Sequence, residues 1–493
     1  MIRQRIRLAA RGSLQAALFI GVLMSCGTST RVDVVLEAQP CVAAVASRIE
    51  VEVFDESGAV LGSVEGPATF PTGVRLASDS GTPWRLEARL FDGNDVPVAT
   101  LRDRGNFEID SRSLTFEDRC LGVRCAEGYT CAAGECALAS SSGEASAALD
   151  ACPAWTFVST TGTSAEDCGT FDAPCSGLSS ALNALGGSAA VISYLSGEYT
   201  APRLIEPERG PLLIRAAFPD TPPTLRATGD TAITIQANDV MLQDLILTGG
   251  GTHGASFNLG RARLQERLRV RGCVFEGNGS EPAPAFDNKA GLMFNNEVRD
   301  FVVEDSVFRN NSGPGEFAVF GAYINRASAG VVRRCRFESN RGAGVFLSVT
   351  ENIRVEDTTF VNNPDGVWAA FESSVEITRG RFCGAERAFV VSTDGTAVAE
   401  RSSFADNARA VRYQPQSTGS LRLENNLFAH SDDVAVEVDG SRGPSLGENL
   451  FFANAENTRG FTPDTEPTER DPQLEGREDC SLVAGDAMGF GAP

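Results

Sequence analysis

The sequence predicts an all-β chain: a small antiparallel sandwich and a cysteine-rich knuckle, followed by a long parallel β-helix. Three observations carry this prediction. First, a phenylalanine recurs at Phe275, Phe308, Phe337, Phe360, Phe382, Phe404, Phe428 and Phe451, the last five intervals being 23, 22, 22, 24 and 23 residues. A fixed period of that size marks a solenoid, each turn covering the apolar face of the last. Second, companion columns keep step with it. Five residues before each anchor stand Val270, Val303, Val332, Val355, Ile377, Ala399, Leu423 and Leu446. Three after it stand Asn278, Asn311, Asn340, Asn363, Asn407 and Asn454, with Ala385 and Ser431 as the exceptions. Third, residues 49–53 (Ile-Glu-Val-Glu-Val) and 84–90 (Trp-Arg-Leu-Glu-Ala-Arg-Leu) alternate with period two, the mark of half-buried strands.

Residues 1–25 place Arg3, Arg5, Arg7 and Arg11 ahead of an apolar run, 14–24, that is too short to span a bilayer. A charged start, a short apolar stretch and small residues at its end make an export signal. Its ending, Leu23-Met24-Ser25-Cys26, resembles the lipobox of bacterial lipoproteins. That resemblance implies cleavage before Cys26 and acylation of Cys26, and several acyl chains anchor a protein stably. Gly27 stands where an aspartate can retain lipoproteins at the inner membrane, so the resemblance implies the outer membrane or cell surface. The alternative is an ordinary secretory signal with an incidental cysteine. Thirteen cysteines in the chain fit an oxidising compartment.

Residues 26–118 are expected to form an immunoglobulin-like sandwich, with turns at Asp55-Glu56-Ser57-Gly58 and Asp92-Gly93-Asn94-Asp95. The buried Cys-Trp-Cys pattern of antibody domains is absent. Residues 119–137 hold Cys120, Cys125, Cys131 and Cys136. Such spacings suit zinc or disulfides, but tight zinc sites favour two close pairs and no histidine lies nearby. Disulfides are therefore expected, in a knuckle resembling the EGF type, with Cys120–Cys131 and Cys125–Cys136 favoured among three connectivities. Residues 138–160, rich in Ser, Ala and Gly, read as a linker. The β-helix is placed at 161–480. Its start carries Cys168 and Cys175, expected to clip a loop, and then Leu178, Ala181, Leu182 and Leu185 at helical spacing. This resembles the opening of pectate-lyase-like helices, where a short amphipathic helix plugs the open coil. Residues 481–493 are read as a C-terminal cap.

Stacked coils place equivalent side chains about 4.8 Å apart, so each sequence column becomes a physical ladder. Asparagine suits a turn because it tolerates the left-handed conformation and its amide can bond the neighbouring coil. Two residues before each anchor, small or polar residues dominate: Cys273, Ser306, Cys335, Thr358, Gly380, Ser402, Asn426 and Asn449. Cys273 and Cys335 lie two coils apart, roughly 10 Å, beyond the ~7 Å a disulfide tolerates between Cα atoms. Both are expected to be buried free thiols. These ladders resemble the right-handed parallel β-helix of the pectin-lyase-like superfamily, a scaffold that hosts lyases, hydrolases, adhesins and inert tips.

The net charge of −22 excludes nucleic acid as a partner, because a phosphate backbone would be repelled. Lyases of the resembling superfamily use a calcium site of clustered carboxylates with an Arg or Lys base, and its polygalacturonase-type hydrolases use close aspartates. Outward positions of the strand after each asparagine offer only Glu437 and Asp439 as acids, beside Arg412. Calcium is the one cofactor the resemblance would bring, and no metal or catalytic residue is assigned. His253 and His430 are too few and too distant for a triad, and Lys289, the sole lysine, reads as a loop residue. One outward column is apolar: Met293, Tyr323, Phe346 and Trp368, a stripe roughly 15 Å long at the same step. Exposed aromatic stripes mark binding surfaces, and flat rings at that spacing suit sugars. The competing expectation is that the inserted segment 311–320 covers the stripe. The expected function is a lipid-anchored envelope protein whose head binds polysaccharide or a surface partner without catalysis. The alternative is a polysaccharide lyase or glycoside hydrolase on the same scaffold.

Overall fold

In the computed structural model the chain divides into two compact units, 1–154 and 155–493. It describes residues 30–484 with interruptions at 56, 79–82, 106–110, 126–128, 133–134, 139–151, 187–188, 201–203, 206–210, 258–263, 281–287, 315–318, 416–417, 441, 464–467, 470–473 and 476–482. Cys26 and the export signal, most of the linker, the cap at 481–493 apart from 483–484, and the side chain of Cys136 lie outside the described residues.

The first unit holds β1 (Thr30–Ala38), β2 (Arg48–Phe54), β3 (Val60–Pro67), β4 (Thr72–Ser78), β5 (Trp84–Phe91), β6 (Pro97–Gly105) and β7 (Ser111–Phe116). They form two sheets, β4-β1-β7 and β3-β2-β5-β6, antiparallel except for the parallel β1–β7 pair. Alternation does the sorting: Ile49, Val51 and Val53 of β2 are buried, as are Trp84, Leu86, Ala88 and Leu90 of β5. The seven strands make the expected two-sheet sandwich, but β2 lies between β3 and β5, an order different from the immunoglobulin ABED and CFG sheets. Cys120 bonds Cys131, and Cys125 is also disulfide-bonded. A further bridge, Cys41–Cys152, joins residues 111 apart, a separation at which local spacing gives no signal.

The segment read as linker ends in a strand. Ala154–Thr163 opens the first sheet of the solenoid; its Ser- and Thr-rich sequence hid it, since only four of its ten residues are buried. The solenoid is a right-handed β-helix of three parallel sheets with 12, 12 and 11 strands among the described residues. The first runs from Ala154–Thr163 to Ser445–Leu446, the second from Glu198–Thr200 to Thr468–Glu469, the third from Leu204–Ile205 to Thr458–Arg459. Helix α1 (Leu178–Leu185) buries Leu178 and Ala181 against the opening coils, beside the Cys168–Cys175 bridge.

The phenylalanine anchors occupy the short strands of the second sheet, with rings stacked from Phe275 to Phe451 at centroid distances of 4.5–5.1 Å. That spacing is the inter-strand distance itself. The asparagines also stack: Nδ2 of Asn278, Asn311 and Asn340 donates to Oδ1 of the next asparagine at 3.0, 2.8 and 2.9 Å. These asparagines do not take the left-handed conformation expected of them. In all eight coils the residue before the column does: Gly277, Asn310, Ser339, Asn362, Gly384, Asp406, His430 and Ala453. That turn swings the asparagine amide inward, where it bonds carbonyls of the previous coil.

Cys273 and Cys335 are free and buried, and burial pushes both thiols up to about 12. Because the thiolate is the nucleophile, neither should react with a thiol reagent while the fold persists. A native-state titration is expected to score no reaction at either position, and both should react in denaturant.

Candidate functional site

The long strands of the third sheet turn one face to the core and the other outward. The outward column runs Ser256, Met293, Tyr323, Phe346, Trp368, Val390, Arg412, Glu437 in unbroken register. The stripe read from sequence is therefore one ladder. Tyr323 stacks on Phe346 at 5.4 Å, and Trp368 meets Phe346 edge-on at 5.0 Å.

Most of that ladder is covered. Met293, Tyr323 and Phe346 are only 7%, 6% and 8% exposed and form a second apolar cluster outside the main core. Phe320, at the end of the inserted segment, stacks on Phe346 at 4.8 Å and on Tyr323 at 5.7 Å. Burial pushes the Tyr323 phenol up, and its hydroxyl bonds Ser348 and Asn288. At that burial neither the Met293 thioether nor the Tyr323 and Phe346 rings offer an open face to a ligand. Trp368, half-buried, ends the aromatic part of the column; its indole N–H donates to Ser392 Oγ at 3.0 Å.

Beyond Trp368 the face becomes ionic. Arg387 forks onto Asp365 at 2.7 and 2.9 Å, with its guanidinium 5.8 Å from the Trp368 ring centre. Arg409 reaches Asp433 and Glu437 at 3.0 and 3.2 Å. Arg412 holds Asp439 at 2.7 Å, which Gln414 also reaches at 3.1 Å. Arg459 binds Asp433 and Glu456, each at 2.8 Å. Glu437 is thus approached by three guanidiniums, the longer two at 3.6 Å.

These pairs set the proton chemistry. Hydrogen bonding from Arg459 holds the Asp433 carboxyl below its usual range. Burial works the other way at Asp439, but hydrogen bonds from Arg412 and Gln414 prevail and hold it low as well. Burial raises Asp365 despite Arg387, yet Asp365 is only 3% exposed and bidentately clamped. A general acid needs a raised pKa and access to the leaving group. Asp433 and Asp439 are held ionised, while Asp365, the raised one, is out of reach.

Sequence reasoning found Arg412, Glu437 and Asp439 but missed Asp365, Arg387 and Arg409. These share a column ahead of the positions considered. In the Asp365 coil a glycine follows, and a Cβ on Gly366 would sit 2.5 Å from the Ala388 carbonyl and from the Phe382 ring. Gly366 thus faces the core, as does the next residue Val367, so strict alternation fails there. Lys289 opens a strand, Lys289–Phe294, rather than lying in a loop, and its buried Nζ donates to the Gly279 carbonyl at 3.1 Å. Burial drives the imidazole of His253 down to about 4. Among the described residues, no group of three or more His, Cys, Asp or Glu is placed to hold a metal ion.

Fold and face together define a right-handed β-helix protein whose third sheet presents an aromatic-to-ionic outer surface. Residues 224–382 and 319–451 match the family model for the right handed beta helix region. No curated protein matches the chain. Among solved structures, the chain is similar to the A-module of mannuronan C-5 epimerase AlgE6 from Azotobacter vinelandii, with 14% identity, 59% of this chain and 93% of that chain covered, and a TM-score of 0.42. It is similar to an alginate lyase from Paenibacillus sp. str. FPU-7, with 13% identity over 59% of this chain and 95% of that one, TM-score 0.33. A Yersinia enterocolitica family 28 exopolygalacturonase shows 8% identity over 88% of each chain, TM-score 0.33. Likeness at this level is silent about what this chain does.

Proposed function

We propose that this protein is an envelope lipoprotein, held at the outer membrane or cell surface by acylated Cys26, whose β-helix binds polysaccharide without turning it over. The observation that carries the reading is Trp368, a half-buried indole at the end of a packed aromatic column, bordering forked guanidinium–carboxylate pairs. An aromatic face covers the apolar side of a sugar ring, while fixed guanidiniums donate to its hydroxyls and carboxylates accept from them. Carboxylates held ionised favour recognition over proton donation. Glycan-array binding by the full-length chain should be confined to a subset of glycans. Trp368→Ala should weaken that binding about tenfold, the loss of roughly 1.4 kcal/mol. The urea midpoint should move little, since Trp368 lies at the margin of its cluster. Unchanged binding by a normally folded Trp368→Ala would remove the glycan reading and leave a protein partner. Globomycin sensitivity and palmitate labelling at Cys26 test the anchor; a Cys26→Ser chain that still takes label would exclude it.

A further inference from the structure

The outer face of the second sheet changes character along the solenoid. The residue after each phenylalanine anchor points away from the core; it is Glu276, Arg309 and Glu338 in early coils but Cys383, Ala405 and Ala429 in later ones. The residue before the anchor likewise ends in Leu427 and Leu450. Burial follows the chemistry. Arg309 is exposed, whereas Cys383, Leu427 and Leu450 are buried in apolar clusters separate from the main core. Ladder neighbours alone do not hide such side chains, since Val307 in the same column as Leu427 stays half-buried. Large side chains that a sheet turns outward are buried where another part of the chain lies over them.

The cysteines identify that part. Cys383 is disulfide-bonded. Of the 13 cysteines, Cys41–Cys152, Cys120–Cys131 and Cys168–Cys175 are paired, and Cys273 and Cys335 are free. Cys125 is bonded as well, and its surroundings point to Cys136. Arg102 donates to the carbonyls of Cys125 and Tyr129 at 2.6 and 3.3 Å, and the Tyr129–Ala132 strand pairs with Glu135–Leu138. Cys26 and Cys480, both outside the described residues, remain for Cys383. Cys480 has the reach. The last strand of the same sheet, Thr468–Glu469, pairs with Leu450–Phe451. From there back to the Cys383 coil is four inter-strand steps, roughly 19 Å. The 11 residues from Glu469 to Cys480 span up to about 36 Å when extended. Leu474–Glu475 pairs antiparallel with Val483–Ala484, so the chain has left the parallel solenoid there. A tail running on past the last coil would put Cys480 well beyond the ~7 Å a disulfide tolerates between Cα atoms.

We infer that the C-terminal tail, residues 470–493, doubles back along the outer face of the second sheet, covers Leu427, Leu450 and Phe452, and is closed onto the solenoid by a Cys383–Cys480 disulfide. Forming the bond takes two protons and two electrons from the two thiols; a disulfide-bearing oxidant accepts them and becomes a dithiol. The loss of charge from the later coils is what a docked segment requires, because a covered Glu or Arg would be stranded from water. The tail also withholds an apolar sheet face from association with other molecules. Tryptic digestion of the full-length chain without reduction, free thiols first blocked, tests the bond. Peptides 382–387 and 478–493 should run as one linked mass that separates on reduction. Peptide 382–387 linked instead to Cys26 or Cys136, or carrying an alkylated Cys383, would overturn the bond. In urea, Cys480→Ser should offer one more alkylatable thiol than the native chain; one fewer would mean that Cys480 is natively free. The path is tested by replacing Phe452 with p-benzoylphenylalanine in the full-length chain. Irradiation should join peptide 443–459 to 471–477 or 478–493. Adducts confined to other segments, in a chain with native circular dichroism, would overturn the docking.

Discussion

Replacing Asn340 by alanine is expected to destabilise the β-helix by about 3 kcal/mol, with two or three polar groups left unpaired at ~1–3 kcal/mol each. Asn340 is 2% exposed and serves both neighbours. Its Oδ1 accepts from the amide of Asn311 at 3.3 Å and from Asn311 Nδ2 at 2.8 Å. Its Nδ2 donates to the Phe308 carbonyl at 3.0 Å and to Asn363 Oδ1 at 2.9 Å. The native gap at Ala385 shows how the chain lives with a missing rung. Asn363, just before it, turns its amide to the Val361 and Phe337 carbonyls instead. Asn407, just after, reaches back to the Ala385 amide and the Phe382 carbonyl. Partial rescue of that sort holds the expected loss at Asn340 to the middle of the range. A urea series should show a lowered midpoint for Asn340→Ala and a smaller drop for Asn454→Ala, whose surroundings are more open. Equal and small losses at both would mean the ladder contributes little.

The second large effect is expected at Glu304. It is 1% exposed on the first sheet and pairs with buried Arg271, with Arg333 at 2.7 Å and with Arg334 at 2.9 Å, the last also holding Asp305. Removing one member of a buried pair strands the other charge, at a cost of about 3–5 kcal/mol. Glu304→Ala should approach that figure because Arg271, 3% exposed, has no route to water. The pH dependence follows from the same contacts. Burial alone would raise the carboxyl, but the three guanidiniums prevail and hold it below its ordinary 4.5. A depressed folded value means the stabilisation is complete above the unfolded pKa and is lost as pH falls through the folded one. The stability gap between native chain and Glu304→Gln should therefore be widest near neutrality and close in acid. A gap that widened on acidification would contradict the assignment.

How much of this could be read from the sequence follows from what repeats. Periodic features were legible to the residue: the phenylalanine ladder, the polar column holding two free thiols, and the outward register from Met293 to Trp368 all emerge from spacing, because a parallel solenoid converts sequence columns into neighbours. Features that break the period were not. Phe320 belongs to an insertion, so the repeat left its fold over Tyr323 and Phe346 as one of two competing expectations and could not decide between them. Asp365 and Arg387 sit just before Gly366 and Ala388, where two successive residues face the core and alternation fails. The left-handed residue lies one place earlier than asparagine's own preference suggests, because the column asparagines are spent on inward hydrogen bonds. Ser- and Thr-rich Ala154–Thr163 has linker composition and becomes a strand only because the next coil pairs with it.

The central claim is that the outward face of the third sheet recognises polysaccharide and leaves it intact. Its most direct measurement incubates the full-length chain with the glycan it retains, with and without calcium, while following new reducing ends and unsaturated sugar products. The expected result is saturable binding that depends on Trp368 with no accumulation of either product. Sustained product formation that is lost in a folded variant of Asp433, Glu437 or Asp439 would contradict it and make the protein an enzyme.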